Sequence, residues 1–210
     1  MTGLPDYSRL DCVTNGTAES WAVLSADGTY RYLLARMWDD YLSGGNWWER
    51  DAVRPLMVFV MLNPSTATGL VDDPTIRKCV GFARRHQCGG ILVVNLFAWR
   101  ETYPKNLPMG PEAVGPHNEE FMHIALGNPL LAPAVGAWGT LGSKRLREQA
   151  KALIATAKCA RRLWCFGKSK DGEPRHPLML AYDTPLVSMA DGKPWFSPTI
   201  SGPQGQGVES

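Results

Sequence analysis

No stretch of this sequence approaches the roughly 18 consecutive apolar residues that a membrane-crossing helix needs. The opening MTGLPDYSRL has neither the basic segment nor the apolar stretch of a secretory signal, so the sequence points to a cytoplasmic protein with no membrane partner. Paired cysteine motifs are missing too. Cys12, Cys79, Cys88, Cys159 and Cys165 are odd in number, form no CxxC and have no histidine at metal-ligand spacing, which argues against both disulfides and structural zinc. An excess of one charge is also absent. The net charge of +2 does not announce a nucleic-acid binder, nor does it exclude one, because a local basic patch can carry the field.

Several catalytic signatures are lacking as well. Gly167-Lys168-Ser169 invites a phosphate-loop reading, but the upstream glycine of Gly-x-x-x-x-Gly-Lys-Ser/Thr is not there. Ser65 and Ser169 lack the GxSxG elbow, and no His-Asp order marks a hydrolase triad. No metal constellation and no cofactor fingerprint stands out.

What the chain does have is core material: 210 residues, 44% of them hydrophobic and 20% charged, enough for one α/β domain over residues 1–196 with a flexible tail over 197–210. Residues 21–37, WAVLSADGTYRYLLARM, read as two strands joined at Asp27-Gly28, a dipeptide suited to a tight hairpin. Residues 38–55 have no period and read as loop. Beyond them strand and helix alternate. PLMVFVML is followed by a helix from Pro74 to His86, GILVVNLFA by a helical segment at about 117–126, LAPAVGAW by a helix from Ser143 to Ala157, and RRLWCFG closes the series. These strands are near-continuous apolar runs, which a parallel sheet covered on both faces requires. The expectation is a three-layer, four-stranded parallel sheet with flanking helices, plus the N-terminal antiparallel hairpin.

Two helices carry clear start signals. Asp73 is placed to cap the first, Pro74 fits its first turn, and Ile76, Cys79, Val80 and Ala83 share one face, before Cys88-Gly89-Gly90 stops it. Ser143 is placed to cap the last helix, whose stripe is Leu146, Ala150, Leu153, Ile154 and Ala157. Cys79 and Cys165 fall inside buried patterns and read as small core residues.

In an open parallel sheet, ligands bind beyond the carboxyl ends of the strands. Those ends read Asn63-Pro64-Ser65-Thr66, Asn95-Leu96-Phe97-Ala98-Trp99-Arg100, Trp138-Gly139-Thr140, and Gly167-Lys168 leading to Arg175-His176-Pro177-Leu178. An asparagine amide presents a donor beside an acceptor, as a nucleobase edge does, and the aromatic rings offer stacking. The set therefore fits a planar, hydrogen-bonding ligand. Plain alternatives stand beside this: Asn63 before proline as a turn former, Asn95 as a partnered structural amide, and Lys168, Lys170 and Arg175 as a solvated loop. Trp47-Trp48, two of eight tryptophans, read either as a satellite core or as a stacking surface for a partner.

The motifs LNPSTA, DDPTIRKCVGFAR, VVNLFAWR, AWG and HPL, in this order, resemble the bacterial and phage family catalogued as domain of unknown function 1643, over about Trp21 to Phe196. More distantly, the arrangement is similar to the uracil-DNA glycosylase superfamily, its mismatch-specific members included. That resemblance implies a nucleobase-recognising hydrolase of N-glycosidic bonds, acting on a base in DNA or a nucleotide, with a place in DNA modification or repair. It implies Asn63 as the water-positioning residue, Asn95 as the reader of the base edge and His176 as the group facing a base carbonyl. Asp72 or Asp73 is the nearest general base in sequence. Pro64, Ser65, Thr66, Phe97, Trp99, Arg100, Trp138, Lys168 and Arg175 complete the expected substrate contacts, with nucleic acid or a nucleotide as partner. Leu62 and Ser65 replace the glycines usual in the first motif, and His-Pro-Leu replaces His-Pro-Ser, removing a hydroxyl that would contact a DNA phosphate. The alternative is a non-catalytic module binding a nucleotide or modified nucleic acid on the same rim.

Overall fold

The computed structural model describes residues 6–38, 54–108, 110–127, 133–142, 144–156 and 163–195. Trp47, Trp48, Ser143, Ala157, Cys159 and the tail over 197–210 lie outside the described residues.

Three strands, β1 (Cys12–Gly16), β2 (Ser20–Ser25) and β3 (Arg31–Met37), form an antiparallel meander. The turn between β2 and β3 is held by the Asp27 carboxylate, which accepts from Ser25 Oγ, Thr29 N and Thr29 Oγ1. Those donors pull its pKa down to about 2. Then come β4 (Leu56–Met61), α1 (Pro74–Arg85), β5 (Gly90–Asn95), α2 (Pro111–Val114), α3 (Asn118–Gly127), β6 (Ala134–Gly136), α4 (Lys144–Thr156), β7 (Leu163–Cys165) and β8 (Val187–Ser188). Every residue of β4 and β5 is buried, as their unbroken apolar runs demand.

Among the described residues the result is one mixed sheet of eight strands in the order β1-β2-β3-β5-β4-β6-β7-β8. Strands β5, β4, β6 and β7 pair in parallel, but the sheet does not stop there. The hairpin is not a separate edge: β3 bonds antiparallel to β5, with Leu34 opposite Val93 and Met37 opposite Gly90. β1 and β8 extend the two ends, and neither carried an apolar run. β1 is the polar CVTNG with only Cys12 buried, and β8 is two residues long.

Helix α1 covers one face of the sheet. Asp73 caps it by accepting from Ile76 N at 2.8 Å, and Ile76, Cys79, Phe82 and Ala83 are buried, while Val80 is only partly so. The helix ends before the expected glycines, because Gln87 takes the left-handed conformation (φ 58°) that usually falls to glycine after a helix. Gly90 is left to open β5, where a Cβ would lie 2.6 Å from Arg36 O. On the opposite face, Phe121, Met122 and Ala125 of α3 and Ala150 of α4 pack on Val58, Val60, Leu92 and Val94. Cys12, Cys79, Cys88 and Cys165 are buried free thiols. Among the described residues no helix is long and apolar enough to cross a membrane.

Candidate functional site

Met61 and Asn95 lie opposite each other at the carboxyl ends of β4 and β5. Beyond them opens a cavity of about 1050 Å³, bounded by the strand ends, the first turn of α1 and the segment carrying His176. Its polar lining includes Arg31, Asn63, Asp73, Asn95 and His176, among apolar surface from Met61, Ile76, Val93, Leu107 and Trp138. The three groups from distant parts of the chain, Asn63, Asn95 and His176, thus share one cavity.

Asn95 closes β5 with a side chain on the same face as Ile91 and Val93, and it is 0% exposed. Among the described residues neither Nδ2 nor Oδ1 has a hydrogen-bond partner. Leaving a buried amide unpaired costs about 1–3 kcal/mol per group, so an amide in this state facing a cavity points to a ligand. Its backbone is fixed from the other face, where Asn118 Nδ2 donates to Asn95 O (3.0 Å) and Leu96 O (3.1 Å).

Asn63 is oriented by its loop. Nδ2 donates to Glu101 O at 2.6 Å and to Pro64 O at 3.2 Å, and Glu101 N donates to Pro64 O at 2.9 Å. Two carbonyl partners fix which end of the amide is nitrogen, leaving Oδ1 as its acceptor. Pro64 is buried and serves this tie through its carbonyl, while Ser65 and Thr66 line the cavity.

His176 arrives by a hairpin after β7, in which Ser169 N donates to Glu173 O and Arg175 N to Gly167 O, and Gly139 N docks on Pro174 O. Nδ1 accepts from Leu178 N at 3.3 Å, so the neutral ring carries its proton on Nε2. Burial lowers its pKa from 6.5, against an opposing pull from Asp73. Gly139, at φ 75°, lets the ring come close: a Cβ there would sit 3.2 Å from His176 Cβ. Trp138 is buried beside it, its Nε1 donating to Glu173 Oε2 at 2.8 Å.

Lowered histidine pKa values make a pH prediction. The folded state holds His176 and His86 neutral, both through burial, so the unfolded chain binds more protons below about pH 6.5 and stability falls as acid is added. The urea midpoint is expected to drop between about pH 7.5 and 5.5, and His176→Gln to flatten that drop, as equilibrium unfolding at the two pH values would measure.

Other expected residues fall elsewhere. Asp72 is turned away to Arg36, with Nε to Oδ1 at 2.8 Å, leaving Asp73 and Glu101 as carboxylates that line the cavity. Phe97 is 0% exposed within the core under α3, because its backbone continues the sheet by donating to Leu62 O and carries the ring inward. Lys168 and Arg175 are exposed and outside the cavity, and Lys168 Nζ donates to Met189 O at 2.7 Å. Trp99 and Arg100 line a neighbouring cavity of about 370 Å³ that shares Ser65, Thr66, Glu101 and Thr102 with the main one. Arg100 Nη1 donates to Gly28 O there, and its Nε is buried without a partner among the described residues.

Arg31 escaped the sequence reading. It opens β3, is 3% exposed, donates from Nη1 to Ala67 O at 2.9 Å and leaves Nε unpartnered. Burial lowers its pKa to about 10, with Asp73 acting in the opposite sense. A cation between two tyrosines in a strand was the available signal, since a buried charge requires compensation. Among the described residues no cluster of three or more His, Cys, Asp or Glu is arranged to hold a metal.

No curated protein and no solved structure matches the chain. Residues 31–178 match the family described as protein of unknown function (DUF1643), to which the chain therefore belongs, and the two residues that bound the match, Arg31 and Leu178, both line the cavity.

Proposed function

We propose that the cavity binds a nucleobase and that the protein hydrolyses its N-glycosidic bond, in DNA or in a nucleotide, as the similarity to uracil-DNA glycosylases implies. One observation carries the reading: the fully buried Asn95 amide, a donor beside an acceptor, has no partner among the described residues and lines a cavity that also holds Asn63 and His176. A base edge satisfies both atoms of such an amide. The apolar surface of Met61, Val93, Leu107 and Trp138 suits the faces of a flat ring.

The chemistry assigns a role to each group. Cleavage of the bond from C1′ to the base leaves an oxocarbenium-like sugar and an electron pair on the base. His176 donates from Nε2–H to a base oxygen and steadies that charge. Water adds its oxygen to C1′, oriented by Asn63 Oδ1, and Asp73 takes the proton that the water sheds. The released base is then protonated from solvent. Extruding a base from duplex DNA costs a few kcal/mol and is usually helped by a basic groove. The net charge of +2 favours a single strand, a nucleotide or a modified base.

A non-catalytic binding module is the second reading, favoured by two commitments within the site. Asp73 Oδ1 already caps α1, and the Asn63 amino group is spent on backbone carbonyls. One experiment separates the two: incubation with single-stranded and duplex oligonucleotides and with nucleotides carrying ordinary and modified bases, with released base read by chromatography and mass spectrometry and binding read by calorimetry. Release that falls about 100- to 10,000-fold in Asp73→Asn supports the enzyme. Binding without release supports the module. Failure of every base-containing probe to bind overturns both.

A further inference from the structure

Burying a guanidinium is expensive unless an anion or a set of acceptors meets it. Among the described residues Arg31 has one such acceptor, Ala67 O, for its five N–H groups, and its Nε has none. Arg36, its neighbour on the same strand, shows the compensated arrangement: Nε to Asp72, Nη1 to Ala35 O and Nη2 to Thr68 O. Among the described residues Arg31 has no ion pair of that kind, yet it lies 3% exposed against the same cavity as Asn95. Two buried side chains with polar atoms left unpartnered among the described residues, both atoms of the Asn95 amide and Nε of the Arg31 cation, therefore bound a single space.

We propose that Arg31 receives an oxygen of the bound heterocycle beside the edge read by Asn95, so that the cavity selects bases bearing a ring oxo group over those bearing only amino groups. This rests on the nucleobase reading above and makes its substrate class narrower. Two sources of a negative oxygen are open to a nucleotide ligand, the phosphate and the base. Asp73 lines the cavity and acts on Arg31 electrostatically, so a doubly charged phosphate would meet a carboxylate along with the guanidinium. An oxo oxygen carries only partial charge in the bound substrate and gains more as the bond breaks. When the bond from C1′ to the ring nitrogen cleaves, its electron pair stays with the base and spreads to the oxo oxygen at Arg31. Water supplies the oxygen that joins C1′, its proton passes to Asp73, and the base anion is protonated from solvent on release. Arg31 is then a group whose interaction strengthens during the reaction, which is where a fixed charge contributes most to rate.

The test uses the full chain and a defined set of probes: uracil, hypoxanthine, adenine, inorganic phosphate and deoxyribose 5-phosphate, each titrated by calorimetry into the unaltered protein, Arg31→Met, Arg31→Lys and Asn95→Ala. The unaltered protein is expected to bind uracil or hypoxanthine more tightly than adenine. Arg31→Met is expected to weaken that binding by about 10- to 100-fold, the size expected for a lost charge-assisted hydrogen bond, and to leave adenine unchanged. Arg31→Lys, which keeps the charge should the methionine variant fail to fold, is expected to recover part of the loss. Asn95→Ala is expected to weaken every base. Should bases bind and depend on Asn95 but not on Arg31, the oxo-group proposal falls and the base reading survives. Should Arg31→Met instead abolish binding of inorganic phosphate or the sugar phosphate, the guanidinium is a phosphate site and the proposal is wrong. If no base binds the unaltered protein, the underlying reading fails as well.

Discussion

Asn95→Leu is expected to abolish binding of any base the protein takes, while leaving the free protein as stable as before or about 1–3 kcal/mol more stable. The sign follows from the state of the side chain, which is 0% exposed with both polar atoms unpaired. Leucine has nearly the same shape, so the exchange removes two unsatisfied groups, creates no cavity and adds apolar contact with Met61, Val93 and Ile76 around the same space. The ligand loses its donor and acceptor together, a penalty of at least about 100-fold in affinity. Urea unfolding and calorimetric titration on the same two proteins decide the matter. A variant destabilised by 2 kcal/mol or more, with its affinity intact, would make Asn95 an ordinary structural amide.

Phe82→Ala is expected to cost about 3–5 kcal/mol of stability. Phe82 is fully buried, stacks on Phe166 with ring centroids 4.0 Å apart, and meets the edge of Tyr182 at 5.2 Å. Tyr182 is itself held by Lys78, whose Nζ lies 3.8 Å from the ring centre. This cluster clamps α1 against the sheet and the segment after His176. The first turn of α1 supplies Asp73, Pro74, Thr75 and Ile76 to the cavity, so the packing of Phe82 sets where that wall stands. Phe82→Leu should recover most of the stability, as midpoints of denaturant unfolding would show. A loss below about 1 kcal/mol for the alanine variant would mean that α1 is anchored by something other than this ring.

The parts of the molecule that were legible in the sequence are those where one local rule acts alone. The runs LMVFVM and GILVVN are strand-length, unbroken and apolar, and both are buried throughout as interior strands. Asp73-Pro74 signals the start of α1 by capping and proline placement, both of which are local. β1 and β8 were not legible, since a five-residue polar strand and a two-residue strand exist only because a neighbour offers an edge. Phe97 was misassigned for a related reason. Position after a strand identified it as a rim residue, whereas the backbone continues the sheet by bonding to Leu62 and turns the ring into the core. Asp72 and Asp73 are equally near the rim in sequence as candidate bases, and the pairing of Arg36 with the first is a long-range contact that the sequence does not announce. Arg31 was hidden because the hairpin was read as a peripheral edge, and its pairing with β5 is a contact between distant parts of the chain.

The order in which the strands lie side by side also governs when the pocket comes into being. Arg31 is made early and His176 late, with β4 locked between β5 and β6 in the middle of the sheet. At ribosomal rates of about 5–20 residues per second, the nascent chain carries its first binding group on the order of ten seconds before its last. Throughout that interval the apolar runs of β4 and β5 have no complete cover. Any product shortened ahead of residue 176 would retain most of the sheet and lack a working mouth, a natural target for chaperones and proteases.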